Sequence, residues 1–313
     1  MPVNAAFASH SPLMSARSPG PEVEQHFEDG LARMRAAVAD YDPDLVILFG
    51  TDHFYGFFYD AMPAFCIGTA AHSAADYDMP AGSLSVPADA ATKLAETILQ
   101  ADIDIAISHN MLVDHGFTHT LDRLFGGLDA VPVVPIFINC AAAPFPRLSR
   151  VLRLGETVGL FAQNLNNRVL MIASGGLSHD PPTPQIDSAP PELLSSILGG
   201  GRVLTDEVRA MRMQRLLNAV DKISANEIET RPLNPDWDRA VMDHLIGGDF
   251  DWILQHTDAE IDSLGGRGAQ EIRTRLATAS AAAANGQTTE TVRYYRDVKE
   301  WLCGMGLSYW AVS

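Results

Sequence analysis

Cysteine is scarce in this chain: Cys66, Cys140 and Cys303 are the three present in 313 residues. Their wide spacing holds no CxxC pair and leaves an odd count, which excludes a disulfide framework and a cysteine-built zinc site and suits a reducing compartment. Positive charge is also short, with 22 Lys and Arg against 39 Asp and Glu for a formal charge of -17. That balance repels nucleic acid and anionic membrane, so neither is an expected partner, and an anionic small molecule has to be met by a local arginine or lysine. No apolar run is long enough to span a bilayer; the longest is VPVVPIFI at Val131–Ile138. The opening MPVNAAFASHSP has neither the basic residues nor the apolar core of a signal peptide. A soluble, cytoplasmic protein is expected.

Familiar fingerprints are missing as well. The absence of GxxxxGK[ST], GxGxxG and HExxH leaves P-loop nucleotide use, dinucleotide binding and a zincin site without support. The stretch Gly176-Leu177-Ser178-His179-Asp180 falls short of a GxSxG nucleophile elbow, because Asp180 stands where the second glycine belongs. A serine hydrolase is disfavoured.

What is present is a chain 47% apolar, able to bury a full core. It has no internal repeat and no Gly/Ser-rich linker, so one domain over residues 1–313 is expected. Short apolar runs alternate with helical spacing. Ala5–Ser9, Leu45–Phe49, Phe65–Thr69, Ile103–Ser108, Val131–Ile138 and Val169–Ser174 read as strands. Pro135 suggests that the fifth of these is an edge or bulged strand. Glu22–Asp40, Ala88–Gln100, Thr120–Phe125 and Leu148–Leu165 read as helices, and the chain after Glu192 as mainly helical, including a long helix near Ala269–Ala284. The predicted fold is α/β, a central, mostly parallel sheet flanked by helices with the active site at the C-terminal ends of the strands.

Histidines recur where the strands stop. His10 follows the first strand, His53 the second, His109 and then His115 the Ile103–Ser108 strand, and His179 the last. One such histidine is an ordinary loop residue; His10, His53, His115 and His179 together form a constellation. Two histidines and a carboxylate on one face of a metal suit non-haem Fe(II) oxygenases and equally suit catalytic zinc. Spacing alone does not choose the metal or the ligands. A zinc-dependent hydrolase and a non-catalytic binding relative therefore stand beside an oxygenase. Asp114 can orient an imidazole or make a plain turn hydrogen bond, and the aromatic cluster Phe54–Tyr59 can wall a pocket or fill a core. The proline-rich 180–191 segment reads as a loop over the strand ends, either a lid or a plain connection.

Longer strings carry a resemblance. SHSPL at Ser9–Leu13, DHFYGFFYDAMPAFC at Asp52–Cys66, VDHGF at Val113–Phe117, GGLDAVPVVPIFIN at Gly126–Asn139, SGGLSHDPP at Ser174–Pro182, LNPDWD at Leu233–Asp238 and RYYR at Arg293–Arg296 resemble the type III extradiol ring-cleaving dioxygenases over nearly the full length. The resemblance implies Fe(II) held by His10, His53 and Glu271, the last matching a glutamate five residues after a glycine, here Gly266 in GGRGAQEI. It assigns acid and base roles to His115 and His179 without saying which is which. It implies a catechol with a carboxylate-bearing side chain and O2 as substrates, ring opening beside the diol, a place in aromatic catabolism, and a homo-oligomer, tetrameric or larger. In a chain so acidic that carboxylate needs a cation, and Arg293, with Tyr295 and Tyr55, is the expected substrate-binding set.

Overall fold

A computed structural model describes residues 3–202 and 204–313. Its centre is an eight-stranded sheet whose middle is parallel. Strand β1 (Val3–Ala8), β2 (Leu45–Gly50), β7 (Val133–Ile138) and β8 (Val169–Ser174) are buried at every position, as their unbroken apolar runs require. They lie in the order β7-β2-β8-β1, all parallel. Beyond β7 come β3 (Phe65–Gly68), antiparallel to it, and β5 (Ala106–Ser108) at the edge. On the other side β10 (Cys303–Val312) pairs antiparallel with β1, and β9 (Thr288–Val298) closes that edge. A separate two-stranded ribbon joins β4 (Ala71–Ser73) to β6 (Met111–Val113).

Helices cover both faces because side chains alternate across a strand. Leu45, Ile47 and Phe49 of β2 face one core, packed by α2 (Ala88–Gln100), α4 (Leu148–Gln163), and the late helices α7 (Pro235–Ile246), α8 (Phe250–Leu254), α9 (Asp258–Gly265) and α10 (Ile272–Ala283). Val46 and Leu48 face the other core, with Phe27, Leu31, Met34 and Val38 of α1 (Pro21–Tyr41), Phe117, Leu121 and Leu124 of α3 (His115–Phe125), and Val220 of α6 (Asp206–Ser224). The short α5 (Pro191–Ile197) follows the proline-rich loop. No helix among the described residues is long and apolar enough to cross a membrane.

Three expectations need correction. Pro135 lies inside the sheet, not at an edge. Val133 donates its N–H away from β2, to the Ser85 carbonyl, so residue 135 faces the same way, where pairing with β3 has already ended at Ile67↔Ile136. The missing N–H therefore costs no ladder bond. The third helix begins at His115 rather than Thr120, because the Asp114 carboxylate accepts from Gly116 N–H and caps it. Finally, the region after Glu192 is not helical to its end: VRYYRDV and CGMGLSYWAV form the β9–β10 hairpin that completes the sheet.

Candidate active site

Strands β2, β8 and β1 are neighbours running the same way, with Phe49 opposite Ala173 and Ala8 opposite Ser174. Their C-terminal ends therefore deliver His53, the Gly175–His179 turn and His10 to one place, at the crevice where open α/β sheets bind ligands. His115 reaches it from another direction, from the β4–β6 ribbon and the first turn of α3. His109 does not reach it. Its ring bonds Thr69 Oγ1 at 2.7 Å on the outer edge. Glu271 ends a short 3-10 turn, Arg267–Glu271, which leads into α10. Only 4% exposed, it is far from the solvated first-turn carboxylate that its position in the sequence suggests.

These five side chains converge. One ring nitrogen from each of His10, His53 and His115 lies within 4.8 Å of the others. Glu271 spans the gap between imidazoles, with Oε1 at 3.2 Å from His53 Nε2 and 3.5 Å from His179 Nε2, and Oε2 at 4.0 Å from His10 Nε2. In every ring Nδ1 is already engaged: His10 with Ser174 Oγ at 3.0 Å, His53 with Asp114 at 2.9 Å, His115 with Asp76 at 2.7 Å, and His179 with the Leu177 carbonyl at 2.9 Å. Nδ1 is thereby fixed in place, and in His10, His53 and His179 Nε2 is turned inward to Glu271, the arrangement by which an outer ring of partners orients metal ligands. Asp114 thus orients an imidazole, but that of His53 rather than of its chain neighbour His115.

The electrostatics favour a cation at the centre. Burial pulls His10 well below the usual histidine range, so it presents a neutral lone pair. Burial also opposes charge on His53 and His179, but Asp114 and Glu271 outweigh it at the first and Glu271 at the second, raising both. Burial likewise works against ionised Glu271, and the surrounding imidazoles overcome it, holding the carboxyl well below its ordinary value. A field that attracts protons to this gap attracts a divalent ion to it, and imidazoles with one carboxylate are a donor set that first-row metals accept. The residues fit a metal.

The cluster opens into a cavity of about 200 Å³. Phe54 and Tyr55 wall it, whereas Phe57 stacks on Phe137 and Phe58 is core, so the aromatic cluster serves both purposes. Pro181, Pro182, Thr183 and Pro184 form another wall, anchored by Asp180, which accepts from Arg267 and from Arg231 N–H. Asp52 does not face the cavity. It is buried and accepts the N–H groups of Tyr55, Gly56 and Phe57, shaping the turn that carries His53; burial, with Asp114 beside it, pushes its carboxyl up to about 7. Phe54 (φ 61°) and Tyr77 (φ 46°) line the cavity in left-handed backbone, a strain that concentrates at working sites.

Arg293 and Tyr295 are not brought to the cavity. Arg293 pairs with Asp243 at 2.6 Å and with Glu290 at 3.3 Å, and the Tyr295 hydroxyl donates to Asp238 at 2.7 Å. Both sit on β9 at the sheet edge, whose strands were hidden by the helical reading of the C-terminal region. The cations that line the cavity are Arg212 and Arg215 of α6. Asp76 and Ser174, which hold His115 and His10, were also passed over; each lies at the end of its own segment, far along the chain from the ring it touches.

The family model for the catalytic LigB subunit of aromatic ring-opening dioxygenases matches residues 4–306. The chain belongs to this family. Among similar proteins, the 2,3-dihydroxyphenylpropionate/2,3-dihydroxicinnamic acid 1,2-dioxygenase of Rhodococcus jostii is 42% identical, over 98% of each chain. The enzyme of that name from Klebsiella pneumoniae is 42% identical over 95% of each, and a second form from Pseudomonas putida 41% over 93%.

Proposed function

We propose that this ring-opening dioxygenase cleaves a 3-substituted catechol, 3-(2,3-dihydroxyphenyl)propionate or 2,3-dihydroxycinnamate, beside its diol, using both atoms of O2 and Fe(II) held by His10, His53 and Glu271. The reading is supported chiefly by one observation: His10, His53 and His179, each tied at Nδ1, turn Nε2 toward the buried carboxylate of Glu271, and His115 joins them at the head of an aromatic-walled cavity. When bound, Fe(II) would supply adjacent positions for the diol oxygens and for O2, and an electronic path between them.

The protein's own part is proton handling and placement. The Leu177 carbonyl only accepts, so it requires the proton of neutral His179 on Nδ1 and leaves Nε2 as an acceptor for a catechol hydroxyl proton. Asp76 does the same for His115, and its carboxylate also faces the imidazolium that forms when His115 Nε2 takes a proton. One histidine removes a proton from the diol; the other returns one to oxygen during ring opening. Gly268 leaves no Cβ against the His179 ring, which packs directly on its backbone. The cavity walls Phe54, Tyr55 and Leu216 exclude water from the ring.

Protein stripped of metal and reloaded separately with Fe(II) or Zn(II) under controlled oxygen tests this. The expected result is a yellow ring-opened product and stoichiometric oxygen uptake with Fe(II) in air, and neither with Zn(II) or without oxygen. Zinc-supported hydrolysis without oxygen uptake would overturn it in favour of a hydrolase on the same side chains.

A further inference from the structure

We propose that Arg215 binds the side-chain carboxylate of the catechol and thereby sets the enzyme's preference for acidic over neutral 3-substituted catechols; this rests on the extradiol reading above. Helix α6 turns one stripe toward the cavity: Arg212, Arg215, Leu216 and Ala219, at the i, i+3, i+4, i+7 spacing of a single helix face. The stripe supplies two guanidiniums and two apolar groups to a wall whose only carboxylate among the described residues is Glu271. An amphiphilic ligand, apolar along its length and negatively charged at one end, matches that pattern.

The two arginines are not equivalent. Arg212 lies with its guanidinium 4.3 Å from the Tyr55 ring centroid and donates to the Phe54 carbonyl at 2.9 Å, so it props the turn that carries His53. Arg215 has no ion pair or hydrogen bond to a described residue. Elsewhere on the same helix Arg209 is paired with Asp206, and Asp221 takes up Arg17. Arg215 is exposed on the cavity wall and has no carboxylate partner among the described residues, so in a chain with 39 acidic and 22 basic residues it is free to supply the local positive site that an anionic substrate needs. Its planar fork matches a carboxylate in a bidentate bond. Arg293, two acidic partners deep on β9, cannot serve without losing them.

The test compares 3-(2,3-dihydroxyphenyl)propionate with 3-propylcatechol, which keeps the chain and lacks the charge, on iron-loaded wild type, Arg215→Ala, Arg215→Lys and Arg215→Glu. The quantity read is the ratio of kcat/KM for the acid to that for the neutral compound. Arg215→Ala should lower the ratio by about 10- to 100-fold, the worth of one charge-assisted hydrogen-bonded pair, chiefly through the KM of the acid. Arg215→Lys should restore part of it and Arg215→Glu should lower it further. An unchanged ratio, or an equal loss for both compounds, overturns the assignment while leaving the enzyme an extradiol dioxygenase. A wild-type protein that opens neither ring overturns the extradiol reading, and this proposal with it.

Discussion

At the scale of single residues, the proposed function separates side chains that would hold the metal, His10, His53 and Glu271, from side chains that would move protons, His115 and His179, and substitution can tell them apart. We expect His115→Phe and His179→Phe to lower kcat by about 100-fold or more, the usual worth of a positioned acid or base, while iron content stays near that of wild type. Glu271→Ala should lose the iron itself. Loss of iron from His115→Phe instead would make His115 a ligand, a role its distance to His10 and His53 also permits. Asp114 is wholly buried and accepts from His53 twice, at its backbone N–H and its ring, as well as capping α3. Asp114→Asn should therefore weaken iron binding by about 10- to 100-fold, measured by competition with a chelator, without changing which substrate is preferred. His119 offers a separate reading by pH. Burial, then nearby Arg123, pulls it down to about 3 from an ordinary 6.5, so it folds neutral while the unfolded chain takes up a proton. Its contribution is complete above pH 6.5 and is lost as pH falls toward 3, at up to about 1.4 kcal/mol per pH unit. Urea midpoints measured from about pH 8 down to about pH 5 should fall less steeply for His119→Leu than for wild type.

At the scale of elements, the position of Glu271 depends on how closely α10 lies against α4. Gly155 and Gly159 present bare backbone to α10. A Cβ on either would stand 2.8 Å from the Cα of Ala277 or Ala281, and backbone on both sides leaves no flexible group to yield. Gly159→Ala should cost about 1–3 kcal/mol by overpacking, despite alanine's better helix propensity, and should weaken iron binding in parallel because the displaced helix carries Glu271 at its start. Calorimetry and metal titration on the same variant check both. Elements built from local pattern were legible in the sequence: α2 and β8 fall where their periodicity puts them, and His10 and His53 follow because each ends a buried strand. What escaped was decided across the chain. The cap at Asp114 is a single side-chain bond, and Pro135 escapes the edge only because β3 stops short of it. The β9–β10 hairpin was obscured by small and aromatic residues with weak alternation, buried because β1 lies beside them. Arg293 looked available only while its partners Asp243 and Glu290 could not be seen.

At the scale of the whole molecule, the ends of the chain are locked together behind the site by one buried cation. Arg275, 1% exposed on α10, donates through Nη2 to Ser9 Oγ, to the Gly175 carbonyl and to the Gly306 carbonyl, joining the ends of β1 and β8 to β10. Ser9 in turn accepts from Gly306 N–H and donates to the Gly304 carbonyl, so β10 is tied into the turn that precedes His10. Burial pulls the guanidinium down to about 10, and Glu271 and Asp238 are the carboxylates whose charge works against that fall. A wholly buried charge kept at such a cost is replaced harmlessly only when its partners are replaced too. Arg275→Leu takes the shared donor from all three acceptors, and although Ser9 Oγ keeps the Gly306 N–H and the Gly306 carbonyl keeps the Ser9 N–H, the buried Gly175 carbonyl loses its donor, so unfolding stability should fall by about 1–3 kcal/mol. Arg275→Lys keeps a charge and some donors, and should fall between the two. Urea unfolding with an unchanged m-value would assign the loss to the native state, since the unfolded chain exposes the same surface in all three proteins. Because β1, β8 and α10 also deliver His10, His179 and Glu271, iron should leave Arg275→Leu at lower urea than it leaves wild type. Iron retained up to the wild-type midpoint would mean that the site holds its own geometry and that Arg275 serves only the β1–β10 seam.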